Sequence, residues 1–161
     1  MECRRIGRPR GRPRHEWAIA PDAHPGGEAP QAHAQLAQWL ARAIGPGGGD
    51  LVEVERVGRE IGNELAPGGS GRPLPAAMKD ALTALGFAPD LTTDARGLRF
   101  VLGNCPYREA VRENQPAVCT LHRGITRGLL DALEPSARLR DFVARDPYAA
   151  GCLIDVAAGS G

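Results

Sequence analysis

The stretch FAPDLTTDARGLRFVL, residues 87–102, decides the fold class. Upstream of it, apolar residues recur every three or four positions, as in amphipathic helices, whereas within it they alternate with polar ones, as in strands. Residues 87–92 and 98–102 are therefore predicted as two strands, and the polar turn of residues 93–97 joins them in a hairpin. A hairpin that follows helical segments indicates an α+β domain rather than an all-helical one.

The pattern downstream of the hairpin completes this domain. Pro106 suits the first position of a helix that continues over residues 107–114, and a stronger apolar stripe predicts a second helix at 117–133. Residues 142–144 and 152–156 are predicted as the closing strands. We expect a small four-stranded, mostly antiparallel sheet with two helices packed on one side.

Three amphipathic helices are predicted upstream of the hairpin, at residues 31–44, 51–65 and 74–85. Gly58 and Gly62 thin one side of the second helix, which permits another helix to approach closely. The apolar stripes of the first two helices predict that residues 31–66 form a dimerisation segment. The part that follows, residues 74–157, is expected to be a separate functional domain.

The first twenty residues form a segment of their own that is rich in arginine. Six arginines fall within the first fourteen residues, against one acid, Glu2. Alternating residues on both sides of this cluster predict a strand, an arginine-rich loop and a second strand in residues 1–20, followed by a linker at 21–30. Arg-Gly-Arg-Pro at residues 10–13 is the core of an AT-hook, a segment that fits the narrow minor groove of A·T-rich DNA. The residues predicted to contact DNA are Arg8, Arg10, Arg12 and Arg14; the alternative is a solvated loop.

Composition restricts the class of protein further. The net charge of +1 gives no overall field towards nucleic acid or membranes. The sequence contains no apolar run of the roughly 18 to 20 residues that span a bilayer, and no signal peptide, so we expect a cytoplasmic protein without a membrane partner. In a reducing compartment the cysteines are expected to be buried thiols, metal ligands or redox thiols.

Three of those cysteines and one histidine form a candidate site. Cys105, Cys119, His122 and Cys152 have the spacing Cys-x13-Cys-x2-His-x29-Cys. Cys119 and His122 are three residues apart on a predicted helix and can face one point, while Cys105 precedes a predicted helix start, whose dipole favours the thiolate that binds metal. Spacings this long are weak evidence, so small buried cysteines and a structural zinc site both remain open.

The sequence gives little support for an enzyme. Residues 45–49 are rich in glycine but lack the Lys-Ser or Lys-Thr pair of a nucleotide-binding loop. Cys119 and His122 have no third group to orient them as a nucleophile and its base. We therefore expect a protein that is not an enzyme.

Several segments resemble the ArsR-like winged-helix transcription regulators, including the SufR-type repressors of iron–sulfur cluster assembly. The segments that carry the resemblance are Gly7 to Arg14, His15 to Ala23, Leu36 to Ile44, Val57 to Gly62, Asn104 to Ala110, Val118 to His122 and Gly128 to Leu130. The resemblance implies that residues 1–20 are the wing of a DNA-binding domain. Because the helix-turn-helix of such a domain would precede Met1, we expect this chain to be a truncated form.

The resemblance also implies a function for the candidate site. It implies a homodimeric regulator, most often a repressor, whose domain at residues 74–157 senses redox or iron–sulfur status. Cys105, Cys119 and Cys152 would hold an iron–sulfur cluster, with His122 as the candidate for a fourth ligand. The alternatives are a zinc-stabilised domain and a metal-free domain that senses a small molecule.

Overall fold

The computed structural model describes residues 2–6, 14–18, 37, 38, 40, 41, 44, 49–66 and 71–157. The chain forms two compact units, Met1–His33 and Ala34–Gly161. In the first unit, strands β1 (Glu2–Ile6) and β2 (Arg14–Ala18) pair antiparallel. The predicted hairpin is thereby confirmed. Its connecting loop, with Arg8, Arg10 and Arg12, and the predicted linker at 21–30 lie outside the described residues, while Arg14 is the first residue of β2.

The second unit contains a four-stranded antiparallel sheet in the order β3-β4-β6-β5. The strands are β3 (Pro89–Asp94), β4 (Gly97–Leu102), β5 (Arg138–Val143) and β6 (Cys152–Ala157). Residues alternate between two faces, so Phe100 of β4 and its partner Ile154 of β6 point the same way and are fully buried. This face of the sheet carries the core.

Helices α1 (Leu51–Leu65), α2 (Leu74–Ala84) and α3 (Arg108–Leu133) accompany the sheet. Met78 and Leu82 of α2 and Leu129 of α3 are fully buried in one apolar cluster with Phe100 and Ile154. Two helices therefore cover the core face of the sheet, and the predicted α+β fold is confirmed. Of the helix predicted at 31–44, residues 37, 38, 40, 41 and 44 are described, and all five are helical.

Helix α3 consists of two helical segments that meet at a kink, which confirms the two helices predicted at 107–114 and 117–133. It bends at Asn114, whose φ of −156° and ψ of 80° are not helical. Pro116 has no N–H to continue the helical ladder, and the Asn114 side chain instead accepts a hydrogen bond from the backbone N–H of Ala117 at 3.2 Å. The helix begins at Arg108, so the prediction that Pro106 is its first residue is wrong; Pro106 lies in the preceding turn.

Helices α1 and α3 meet through glycines. Gly58 and Gly62 of α1 face Gly124 and Gly128 of α3. A Cβ atom added at Gly128 would lie 2.0 Å from the carbonyl oxygen of Arg59, which is far inside van der Waals contact. The two backbones therefore approach at a distance that only glycine allows. The close helix approach predicted from two of these glycines is confirmed, and its partner is α3.

Ion pairs run along one side of this contact, because the residues that form them are spaced four apart on each helix. Arg59 of α1 pairs with Asp131 of α3, while Glu55 of α1 receives Arg123 and Arg127 of α3, the latter at 2.6 Å. Partly exposed pairs of this kind contribute at most about 1 kcal/mol each. They fix the register in which the glycine faces meet.

Candidate functional site

Four side chains from three separate segments line one cleft beside the core. Cys105 follows β4, Cys119 and His122 lie on α3, and Cys152 is the first residue of β6. We call this the thiol cleft. Cys152 reaches it because β6 pairs with β4 in a register that sets Cys152 opposite Leu102, three residues before Cys105. The four residues predicted from the sequence as one site are thus brought together.

The turn that carries Cys105 is held by a chain of polar contacts. The Asn104 side-chain amide donates to the backbone carbonyl of Gly86 at 2.7 Å, and its carbonyl accepts from the Arg108 guanidinium at 2.8 Å. Gly86 has a φ of +91°, a left-handed conformation that ends α2 and that glycine adopts without strain. The end of α2 and the start of α3 therefore position Cys105 together.

Cys152 is positioned by the loop that precedes it, residues 144–151. Gly151 donates its N–H to the carbonyl of Leu102 at 2.7 Å, which continues the pairing with β4. The backbone N–H of Arg145 donates to the sulfur of Cys152 at 3.3 Å. Ala150 has a φ of 57°, in the left-handed region that a residue with a Cβ adopts at a cost of about 1 kcal/mol. The loop is thus closed tightly on Cys152.

His122 is enclosed by aromatic rings. Its imidazole stacks on Phe87 with ring centres 4.3 Å apart, and Phe142 and Tyr107 approach it edge-on, at 5.0 and 6.4 Å. The Nε2 atom is buried and has no hydrogen-bond partner. Burial lowers the pKa of His122 to about 4, so the ring is neutral at pH 7. A neutral imidazole with a free ring nitrogen is the form that binds metal ions.

Two of the thiols, those of Cys105 and Cys119, have raised pKa values. Burial and the neighbouring thiols of Cys152 and Cys105 raise the pKa of Cys119 to about 11. Burial also raises the pKa of Cys105, by more than the backbone N–H of Tyr107 and the charge of Arg108 lower it. The expectation that a helix dipole makes Cys105 a thiolate is therefore wrong, because α3 begins three residues later and burial dominates. Cys105, Cys119 and Cys152 form no disulfide.

The space between these groups is small. The cavity within the thiol cleft measures about 20 Å³, which holds about one water-sized guest. Within the described ranges, no three histidine, cysteine or acidic side chains are already arranged to hold a metal ion. Any metal bound here would have to draw the four groups closer together.

The aromatic residues around His122 were not predicted from the sequence. Phe87, Tyr107 and Phe142 come from three different segments, and their convergence follows from the sheet register and the position of α3. Gly124 and Gly128 were also missed, although their spacing repeats that of Gly58 and Gly62. That repeated Gly-x3-Gly spacing was the signal available in the sequence.

In the part of the chain that the structure describes, no helix is both long and apolar enough to cross a membrane. Comparisons of the chain with family models, curated proteins and solved structures found no match.

Proposed function

We propose that this chain is the metal-responsive part of a transcription regulator and that the thiol cleft is its metal centre. The observation that carries the proposal is the convergence of three thiols with a buried imidazole nitrogen that has no partner. A buried polar atom without a hydrogen bond costs about 1 to 3 kcal/mol. A ligand that binds Nε2 would remove that cost.

The state of the thiols favours metal binding over thiol redox chemistry. A reactive cysteine needs a lowered pKa, because the thiolate is the nucleophile. Burial raises the pKa of both Cys105 and Cys119 instead. Metal ions bind cysteine as thiolate and displace its proton even when the free thiol is weakly acidic.

The surrounding residues are suited to support bound thiolates. The backbone N–H of Tyr107 and the charge of Arg108 both act to lower the pKa of Cys105, and the N–H of Arg145 donates to the Cys152 sulfur. Hydrogen bonds to sulfur and nearby positive charge stabilise the negative charge that remains on the ligands. Phe87 and Phe142 hold the imidazole of His122 in place and exclude water from it.

An iron–sulfur cluster is the occupant that the resemblance to SufR-type regulators favours. Cys105, Cys119 and Cys152 would hold it and His122 would be the fourth ligand. When bound, such a cluster supplies a redox-active, oxygen-sensitive group, and exchanging one thiolate for imidazole raises its reduction potential.

A single tetrahedral ion such as zinc is the second candidate, and the size of the cavity favours it. A volume of about 20 Å³ suits one ion, whereas a cluster of several iron and sulfur atoms would require the cleft to open. Three cysteines and one histidine are a common ligand set for structural zinc.

The proposed regulator has two partners, which are DNA and a second copy of the chain. Arg8, Arg10, Arg12 and Arg14 give the amino-terminal segment several charges for phosphate contact, and binding through them should weaken steeply with salt.

Leu40, at 56% exposure, and Val52, at 78%, are large apolar side chains open to solvent on the segment predicted to dimerise. Sedimentation at tens of micromolar checks the dimer.

The metal centre is tested by anaerobic reconstitution of purified protein with iron and sulfide, and separately with zinc. We expect the wild type to take up one of the two in stoichiometric amount. Cys119→Ser and Cys152→Ser should lose it, and His122→Ala should weaken it. Cys3→Ser is the matched control, because Cys3 lies on β1 in the other unit and should leave uptake unchanged.

Iron and sulfide uptake with visible absorbance identifies a cluster, and zinc uptake alone identifies a single ion. If wild type binds neither, or if Cys119→Ser and Cys152→Ser bind as much as wild type, the thiol cleft is not a metal centre.

A further inference from the structure

The loop of residues 144–151 covers part of the thiol cleft and ends at one of its thiols. Ala144, Arg145, Pro147 and Ala150 line the cleft together with Cys152. The loop lacks helix and strand, yet its backbone closes on itself, since Ala150 donates its N–H to the carbonyl of Asp146 at 3.0 Å. Displacing this loop would therefore open the cleft beside Cys152 and remove the N–H that Arg145 donates to its sulfur.

Tyr148 ties this loop to α3 through contacts with Glu109 and Arg112. The hydroxyl of Tyr148 donates to the carboxylate of Glu109, in the first turn of α3, at 2.8 Å. Arg112, one turn further on, pairs with the other carboxylate oxygen of Glu109 at 3.4 Å and also interacts with Tyr148. The contact thus links the loop that precedes Cys152 to the helix that carries Cys119 and His122.

Packing does not explain the position of Tyr148. Its side chain is 54% exposed, so its ring contributes little to the core. The loop is also strained, because Ala150 is held in the left-handed region at a φ of 57°. A strained segment stays in place only if other contacts hold it, and the hydrogen bond between Tyr148 and Glu109 is a contact placed to do this.

We propose that Tyr148 and Glu109 are positioning residues of the thiol cleft: their hydrogen bond holds the 144–151 loop closed, keeps the Cys152 sulfur in the cleft and limits the access of solvent and reagents to it. This inference rests on the proposed metal centre for its biological use, since a held Cys152 would slow the loss of a bound metal. The closed loop itself is testable in metal-free protein.

The first experiment measures the rate at which a neutral maleimide modifies Cys152 in chelator-treated protein, with the modified residue identified by mass spectrometry. A hydrogen bond contributes about 0.5 to 1.5 kcal/mol, so its loss should speed modification about two- to tenfold. Tyr148→Phe and Glu109→Ala should show this increase. Glu109→Gln keeps an acceptor for the hydroxyl and should stay near wild type, as should Ala149→Ser, an exposed change in the same loop.

The second experiment measures zinc release to a chelator from the same variants. Release should accelerate in Tyr148→Phe and Glu109→Ala by a factor similar to that for maleimide. If no variant binds metal but the labelling rates differ as expected, the proposed metal centre fails and the closed loop stands. Equal labelling in wild type, Tyr148→Phe and Glu109→Ala would overturn the closed loop, and so would a Glu109→Gln variant that labels as fast as Glu109→Ala.

Discussion

Helix α3 meets its neighbours in two different ways. On one side, Gly124 and Gly128 lie against backbone atoms of α1, with no room for a methyl group. On another side, Cys119 and His122 face a cleft in which burial raises the pKa of Cys119 and an imidazole nitrogen lacks a partner. The glycine contact leaves no space between the two helices, whereas the thiol cleft presents atoms that can still bind a ligand.

One face of α3 thus serves packing, whereas another presents groups suited to ligand binding. The glycine contact joins backbone to backbone, and the buried carboxylate beside it, Glu55, is paired with Arg123 and Arg127, so the contact is explained by stability alone. In the thiol cleft the buried Nε2 atom of His122 has no hydrogen-bond partner, which costs stability in metal-free protein. A region that costs stability while presenting metal-binding atoms is where a ligand is expected.

The largest effect should come from filling the glycine contact. In Gly128→Ala the new Cβ would lie 2.0 Å from the carbonyl oxygen of Arg59 and 2.8 Å from the backbone nitrogen of Asn63. Backbone atoms cannot rotate away, so α1 must separate from α3. Although alanine improves helix propensity by about 1 kcal/mol, we expect a net loss of about 3 kcal/mol or more in the free energy of unfolding, measured by urea denaturation.

The matched control is Ala132→Ser, an exposed position four residues further along the same helix. It should change the free energy of unfolding by less than about 0.5 kcal/mol. A Gly128→Ala protein as stable as this control would mean that the two helices are not in direct backbone contact.

Lowering the pH should destabilise the metal-free protein through His122 in the thiol cleft. His122 has an ordinary pKa near 6.5 when unfolded and a pKa of about 4 when folded. Between these values the unfolded chain binds a proton that the folded protein does not, so stability falls as the pH falls. We expect metal-free protein to lose about 2 kcal/mol between pH 7.5 and pH 5, measured by denaturation at each pH.

The shifted pKa values of Cys105, Cys119 and Asp155 act outside this pH window. The thiols of Cys105 and Cys119 stay neutral throughout because their pKa values are raised. The carboxylate of Asp155, whose pKa the Arg99 guanidinium lowers, loses its contribution only below about pH 4. His122→Phe, which keeps the aromatic packing and removes the titrating ring, should flatten the profile between pH 7.5 and 5. A slope equal to that of wild type would show that another group is responsible.

The sequence predicted individual helices better than it predicted which distant residues meet in the folded chain. Helix α1 has the bounds that its apolar spacing predicted, because that signal lies within fifteen residues. The meeting of Cys152 with Cys105 depends instead on which strands pair, and β6 pairs with both β4 and β5. The prediction of a thiolate at Cys105 failed for a similar reason, since the burial that raises its pKa is set by distant segments.

The smallest effect should come from adding a glycine beside the thiol cleft, in the loop of residues 144–151. Ala150 has a φ of 57°, so Ala150→Gly removes a strain of about 1 kcal/mol while increasing the entropy of the unfolded chain by a somewhat smaller amount. We expect a net gain of about 0.5 kcal/mol in the free energy of unfolding. Ala149→Gly is the control, because Ala149 has no positive φ and should lose about 0.5 to 1 kcal/mol. Glycine would then stabilise one side of α3 by allowing backbone contact and the other by relieving loop strain. Equal destabilisation by both substitutions would show that Ala150 is not strained and would remove strain as a reason why the loop needs the contact between Tyr148 and Glu109.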